Sequence, residues 1–245
     1  MRHRPTNTST YAAISAVVAI GGLALAGAEL RADESVSGDG FIQRVVAQTT
    51  RSGLAIRAIR EMRAGTVSGK HRGWMTVQTS VTPSGTFSWD VMSEGGSNRT
   101  REKVLLAVLN TEAASWRSGG HDSAALTPEN YEFTRLPVTR PGQVPIQLTP
   151  RRADKHLVNG ILTVHPDGYP ISLEGVLAKS PSFWVKSVRV VKRYGRFAGV
   201  ALPTVVESHA DLKLFGKSTF TMRYQYLEIN GQRLPAAGLK AELTP

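Results

Sequence analysis

The chain has 245 residues, of which 41% are hydrophobic and 20% charged, a formal net charge of +11, and no cysteine. The absence of cysteine excludes disulfides, thiolate metal sites and a thiol nucleophile, so packing alone must hold the core together. It also excludes a lipid anchor on cysteine, and the positive charge indicates polyanionic partners.

The N-terminus has the three parts of a secretory signal. Arg2 and Arg4 precede an uncharged apolar run over residues 12–27, and Ala26-Gly27-Ala28 fits the small-residue cleavage pattern. The apolar core of roughly 16 residues is shorter than the ~20 that span a membrane. We therefore expect residues 1–28 to be a cleaved signal peptide and the mature protein to be periplasmic. There, anionic lipids and polysaccharides are the accessible polyanions, and no nucleic acid partner is expected.

The first element after the signal is a predicted helix. Its apolar residues Phe41, Ile42, Val45 and Val46 have helical spacing, and Asp39 is a plausible N-cap. From about residue 54 the apolar period changes to two, which is typical of strands. The turn sequence Pro83-Ser84-Gly85 joins two such runs into a predicted hairpin.

A second helix follows the hairpin. Val104, Leu105, Val108 and Leu109 recur at intervals of three and four, continuing to Glu112 and Trp116. Ser97 or Asn98 is the expected N-cap, and Gly119-Gly120 is the expected end of the helix.

Strand-like alternation then continues almost to the C-terminus. Its clearest example is 219–229, where Phe220, Met222, Tyr224 and Tyr226 point to one side. The other predicted strands of this half are 131–136, 144–149, 157–164, 171–177, 185–194 and 200–214. The pattern predicts an α+β fold over residues 29–231: a single large curved antiparallel sheet, a half-open β-barrel, with two main helices on its concave face. Residues 232–245 are predicted to be a poorly ordered tail.

Catalytic and metal-binding patterns are not found. The six histidines have no ligand spacing, the acidic residues are scattered, and the nucleophile-elbow motif is missing. We therefore predict no enzyme activity, no cofactor and no metal site.

Two segments have both a structural and a functional interpretation. The run Lys186, Arg189, Lys192, Arg193 is either a solvated strand face or a docking surface for anionic headgroups. The aromatic pair Phe183-Trp184 either plugs one end of the core or lines the mouth of an apolar cavity.

Two stretches, covering nearly half of the chain, resemble a known family. The segments "LTPRRADKHLVNGILTVHPDGYPISLEGVLAKSPSFWVKSVRVVKRYGRFAGVALPTVVESHADLKLFGKSTFTMRYQYLEI" and "FSWDVMSEGGSNRTREKVLLAVLNTE" are similar to exported proteins of the LolA/LolB-like lipoprotein-sorting group. The resemblance implies a half-open β-barrel whose cavity shelters the acyl chains of lipoproteins in the periplasm, without cofactor or chemistry.

The leading hypothesis from the sequence is therefore a periplasmic carrier or binding protein for a lipid or lipidated protein. Its expected partners are lipid or lipoprotein acyl chains, inner- or outer-membrane partner proteins, and transiently a membrane surface. The candidate cavity residues are Trp74, Phe87, Trp89, Val91, Leu105, Leu109, Trp116, Phe183, Trp184, Phe220, Met222 and Tyr224. The alternative is a basic envelope-associated binding or assembly module that docks on anionic lipid or polysaccharide through Lys186, Arg189, Lys192 and Arg193.

Overall fold

A computed structural model describes residues 39–49, 53–69, 71–118, 124–213 and 216–235. The predicted signal peptide and the predicted helix end at Gly119-Gly120 lie outside these residues. Within them, no helix is both long enough and apolar enough to cross a membrane.

Two helices are present in the described chain. Helix α1 spans Asp39–Thr49 and buries Val45 and Val46. Helix α2 covers residues 98–118: a first turn Asn98–Thr100, a π-helical segment Arg101–Leu105 and an α-helix Leu106–Ser118. Both helices had been predicted from their apolar spacing.

Within the described residues, eleven strands form one antiparallel sheet. They are β1 Ile56–Thr66, β2 Gly73–Val81, β3 Phe87–Gly96, β4 Tyr131–Arg135, β5 Val144–Pro150, β6 Val158–Val164, β7 Pro170–Leu177, β8 Val185–Phe197, β9 Val200–Leu212, β10 Gly216–Ile229 and β11 Gln232–Arg233. The predicted α+β class with one large antiparallel sheet is confirmed.

The sheet is not closed into a barrel. Its strand order is β3-β2-β1-β10-β9-β8-β7-β6-β5-β4, and the short β11 pairs with β10 beside this path. Strands β3 and β4 are therefore its two edges, although they are neighbours in sequence. The chain between them, which contains α2, passes from one edge of the sheet to the other.

Alternation along each strand separates the two faces of the sheet. On β1, β2 and β10 every second residue is buried, and opposite residues share a face, as with Met62, which pairs with both Met75 and Met222. Register shifts in the β1–β10, β2–β3, β6–β7 and β8–β9 pairings mark β-bulges or similar irregularities. Such bulges bend strands and increase their twist, in keeping with a curved sheet.

The C-terminal boundary differs slightly from the predicted one. The tail was expected to begin at residue 232, but Gln232 and Arg233 pair with Ile229 and Glu228 of β10. The positive φ of Asn230 and Gly231 makes the tight turn between them. Pairing therefore continues two residues past the predicted end of the domain.

Candidate site on the inner face of the sheet

The buried face of the sheet is a continuous wall of large apolar side chains. Across its centre, Met75, Met62, Met222 and Val206 lie side by side on β2, β1, β10 and β9, because each pairs directly with the next. All four are almost completely buried. This wall is the inner face of the half-barrel, and its position follows from the period-two pattern of the sequence.

Helix α2 packs on this wall over β1, β2 and β3. Its apolar stripe of Val104, Leu105, Val108 and Leu109 is buried. Ser97 is the N-cap, since its hydroxyl accepts a hydrogen bond from the Thr100 backbone N–H at 3.3 Å. The Thr100 hydroxyl donates to the backbone carbonyl of His71 at 2.7 Å and so fixes the start of the helix at the beginning of β2.

A buried ion pair joins α2 to the sheet. The Arg60 guanidinium donates two hydrogen bonds to the Glu112 carboxylate, at 2.6 and 3.0 Å, and both side chains are only 2% exposed. The guanidinium also lies over the rings of Phe87 and Tyr224, 5.1 and 5.0 Å from their centroids. Burial opposes the charge of Arg60, but the neighbouring carboxylate outweighs it and raises the pKa of Arg60 further.

This ion pair was not among the sequence predictions. Arg60 is in phase with Ala58 and Met62, which are buried, and Glu112 lies on the apolar stripe of α2. A charged residue in phase with the apolar positions of its helix or strand was the sequence feature that could have indicated a buried charge. The two residues are 52 positions apart, so their pairing became visible only in the folded chain.

A second cation, Lys192, also lies on the inner face. It pairs with Leu173 on β7 and Val206 on β9, both buried, and directly opposite residues share a face. Burial lowers the pKa of Lys192 to about 8, and the negative charge of Glu112 limits the decrease. Lys192 is therefore mostly charged at neutral pH in an apolar environment.

Tyrosines surround this polar region. Tyr224 and Tyr226 stack with their rings 5.9 Å apart, and the Tyr226 hydroxyl donates to the backbone carbonyl of Pro203 at 2.7 Å. Burial raises the pKa values of Tyr194, Tyr224 and Tyr226 above their usual range. These hydroxyls therefore stay protonated at physiological pH and act as neutral polar groups.

Most of the predicted cavity residues lie on the inner face or on α2. Phe220, Met222 and Tyr224 are on β10, and Leu105 and Leu109 are on α2. From the edge strand β3, Phe87, Trp89 and Val91 pair with the inward residues Val81, Thr79 and Val77, although Val91 is 45% exposed at this edge. Trp116 packs against the same core from the end of α2, and the indole of Trp184 is also partly buried against it.

Two predicted cavity residues lie elsewhere. Trp74 is on the outer face, 43% exposed, and its indole lies across Gly95, whose missing side chain leaves the space. The inward residues of β2 are its neighbours Gly73 and Met75, so hydrophobicity alone selected the wrong side of the strand. Phe183 is 73% exposed in the turn between β7 and β8, where it contacts Trp184 edge to face. Neither Trp74 nor Phe183 lines the interior.

The four basic residues predicted to form one docking surface do not share a face. Lys186, Arg189 and Arg193 are exposed, whereas Lys192 points to the interior. Strand alternation separates Lys192 from Arg193, because adjacent residues point to opposite faces. Among the residues that the structure describes, no group of three or more His, Asp or Glu side chains could hold a metal ion.

The fold and this site define a class: a half-open antiparallel barrel with a helix on its apolar inner face. Solved structures that resemble it include a LolA superfamily protein from Nitrosomonas europaea, at 10% sequence identity and a TM-score of 0.44, covering 82% of this chain and 96% of that one.

A second is a domain described as an outer membrane lipoprotein-sorting protein from Vibrio parahaemolyticus, at 12% identity and a TM-score of 0.42, with 82% and 93% of the two chains covered. A third is a DUF1329 family protein from Desulfovibrio piger, at 10% identity and a TM-score of 0.40, with 82% and 94% covered. No protein-family model and no curated protein matches the chain.

Proposed function

We propose that this protein is a non-catalytic carrier or binding protein for a lipid or a lipidated protein, and that it works in the periplasm after removal of residues 1–28. The observation that supports the proposal is an unclosed sheet whose inner face is a wall of large apolar side chains with α2 laid across it. An acyl chain on this wall would be screened from water by the same helix.

The energetics favour a ligand with a long apolar chain. Each methylene removed from water contributes ~0.8 kcal/mol, so ten buried methylenes contribute roughly 8 kcal/mol without any polar contact. Because α2 already covers part of the wall, the ligand exchanges one apolar contact for another when the helix moves aside. The cost of opening is then mainly the loss of polar contacts such as Arg60–Glu112.

The direct test is to purify the protein from the cell envelope and analyse it by native mass spectrometry and by lipid extraction. We expect a bound species that carries at least one acyl chain. Recovery of protein without any acyl lipid, from fresh envelope fractions, would contradict the carrier function.

The tryptophans allow a matched test in solution. Trp89 and Trp116 pack against the core, whereas Trp74 is on the outer face. A delipidated sample that binds cis-parinaric acid should show energy transfer from tryptophan to the polyene. Transfer should fall in the Trp89→Phe and Trp116→Phe variants much more than in the Trp74→Phe control. Equal losses in all three would mean that the probe binds the outside.

A docking module for anionic membranes is the second candidate, and the turn between β7 and β8 favours it. Phe183 is exposed there with the Lys213 ammonium 3.7 Å from its ring centroid. An exposed aromatic beside cations suits the headgroup region of an anionic bilayer. The exposed Lys186, Arg189 and Arg193 add positive charge on β8.

Charge reversal of Lys186, Arg189 and Arg193 to Glu separates the two functions. Binding to vesicles with 30% phosphatidylglycerol should be lost, while uptake of cis-parinaric acid should persist, if the basic surface docks on membranes. Unchanged binding to these vesicles, relative to pure phosphatidylcholine vesicles, would exclude the docking role.

A further inference from the structure

Among the described residues at inward positions of the central strands, one cation has no acidic partner within 4.0 Å. Among the described residues, Arg60 and Glu112 are buried where α2 packs on the sheet, and Lys192 lies at an inward, partly buried position of β8. Glu94 and Arg135 also pair with inward residues, but both are exposed because they lie on the edge strands β3 and β4. Both oxygens of Glu112 are engaged by Arg60.

Lys192 has no close acidic partner of its own. In the part of the chain that the structure describes, none of the ion pairs within 4.0 Å includes Lys192. Glu112 acts on it only through longer-range attraction. A charged ammonium on an apolar wall costs free energy unless it is paired, and this cost is the usual reason why buried charges have partners.

A buried hydroxyl lies diagonally across from Lys192 on the same face of the sheet. Ser208 is two residues along β9 from Val206, which pairs with Lys192, so Ser208 is a diagonal neighbour of the lysine. The Ser208 hydroxyl is buried and has no hydrogen-bond partner in the structure. Buried polar groups are nearly always hydrogen-bonded, so an unpartnered one requires an explanation.

These observations have one common solution, which is an anionic oxygen-bearing group inside the half-barrel. We propose that Lys192, with Ser208 beside it, binds the carboxylate head of a long-chain fatty acid whose tail lies along the apolar inner face. The proposal rests on the carrier function above and names the class of its ligand.

The chemistry of the two groups matches a carboxylate. An ammonium and a hydroxyl can each donate to one carboxylate oxygen, and charge-assisted hydrogen bonds of this kind are the strong ones. A phosphate head carries more acceptors and more charge than one ammonium and one hydroxyl can satisfy. The neighbouring Leu173, Val206 and Met222 supply apolar contact for the first methylenes of the tail.

The test compares two probes that differ only in the head group, cis-parinaric acid and cis-parinaryl alcohol. A charged hydrogen bond is worth roughly 1.5 to 3 kcal/mol, so the acid should bind roughly ten- to a hundredfold more tightly than the alcohol. The preference should disappear in Lys192→Met and persist in Lys192→Arg. The exposed Lys186→Met is the matched control, and it should keep the wild-type ratio of the two dissociation constants.

Three outcomes overturn the proposal, and they differ from failure of the carrier function. If both probes bind but Lys192→Met keeps the wild-type ratio, the lysine does not bind the head. If lysophosphatidic acid displaces the probe at least tenfold more tightly than palmitate in a Lys192-dependent manner, the head is a phosphate. Equal binding of acid and alcohol to the wild type also refutes it. If neither probe binds the delipidated protein, the carrier function itself fails.

A second measurement covers the case in which Lys192→Met does not fold. Reductive ¹³C-methylation of the wild-type lysines gives one NMR signal per ammonium, and Lys192→Arg identifies the signal of residue 192. Palmitate should shift this signal, whereas hexadecanol should not. A Lys192 signal that does not move at saturating palmitate would overturn the proposal.

Discussion

The Arg60–Glu112 pair gives the sharpest prediction about stability. Glu112→Leu removes the carboxylate and leaves the Arg60 guanidinium buried between Phe87 and Tyr224 without a counter-charge. Breaking a buried pair on one side costs about 3 to 5 kcal/mol, because the remaining charge has lost its partner and is still excluded from water. Domains of this kind are stable by about 5 to 15 kcal/mol, so the variant should lose a large part of the total.

The double variant Arg60→Met/Glu112→Leu should have a much higher free energy of unfolding than the sum of the two single losses predicts. Replacing both charges with apolar residues of similar volume is often neutral or stabilising, since both desolvation penalties disappear. The coupling free energy of the cycle should therefore be several kcal/mol. Urea unfolding followed by tryptophan fluorescence measures all four free energies of unfolding.

The exposed pair Arg57–Glu228 is the matched control. Arg57 lies on β1, as Arg60 does, and pairs with Glu228 of β10 at 2.9 Å, but the two side chains are 44% and 31% exposed. Such pairs contribute about 0.2 to 1 kcal/mol, so Arg57→Met/Glu228→Leu should show little coupling. If the effects of Arg60→Met and Glu112→Leu add to within about 0.5 kcal/mol, the two residues do not act as one buried unit and the reasoning is refuted.

Three further predictions test other features. The pKa of Lys192 is about 8 in the folded protein and 10.5 ordinarily, so the unfolded chain binds more protons between these pH values and the free energy of unfolding should rise with pH there. Lys192→Met should remove this rise, which is at most about 3 kcal/mol. A variant whose free energy of unfolding rises with pH in parallel with the wild type would contradict the prediction. Tyr131→Phe should cost about 1 to 3 kcal/mol in urea unfolding, because the buried Val158 N–H loses its acceptor at 3.0 Å, and a loss below 0.5 kcal/mol would argue against this. Intact-mass measurement of the exported protein should give a chain that begins at Glu29, and a mass that retains residues 1–28 would exclude cleavage.

Most of the sheet could be predicted from local patterns. Alternation fixes which residues of β10 share a face, so Phe220, Met222 and Tyr224 were assigned together without knowledge of their neighbours. The spacing of Val104, Leu105, Val108 and Leu109 gave α2 for the same reason. The π-helical segment Arg101–Leu105 was not predicted, because a local change in backbone hydrogen bonding does not alter the apolar spacing from which the helix was identified.

The predicted lining failed at Trp74, a large aromatic on the otherwise polar face of β2. Thr76 and Gln78 lie on the same side of the strand as Trp74, whereas Met75 is on the buried side. Alternation therefore indicates that Trp74 is outside, and the prediction gave too much weight to its hydrophobicity. The strand alone does not contain the space above Gly95 on β3 that receives the Trp74 indole.

The charged residues that the sequence pattern misassigned or overlooked all lie on one face of the molecule. The charge of Arg60 in an apolar phase was overlooked, Glu112 was counted in the stripe of α2 without its partner, and Lys192 was grouped with exposed cations, yet all three reach the same interior. Where local rules fail in a protein, the site is commonly one that function or strain requires, because an ordinary core would be better stabilised by apolar residues. The charges of Arg60 and Glu112 neutralise each other, so this pair serves as a link between helix and sheet. Lys192 has no such partner, and its position is therefore suited to binding an anionic ligand.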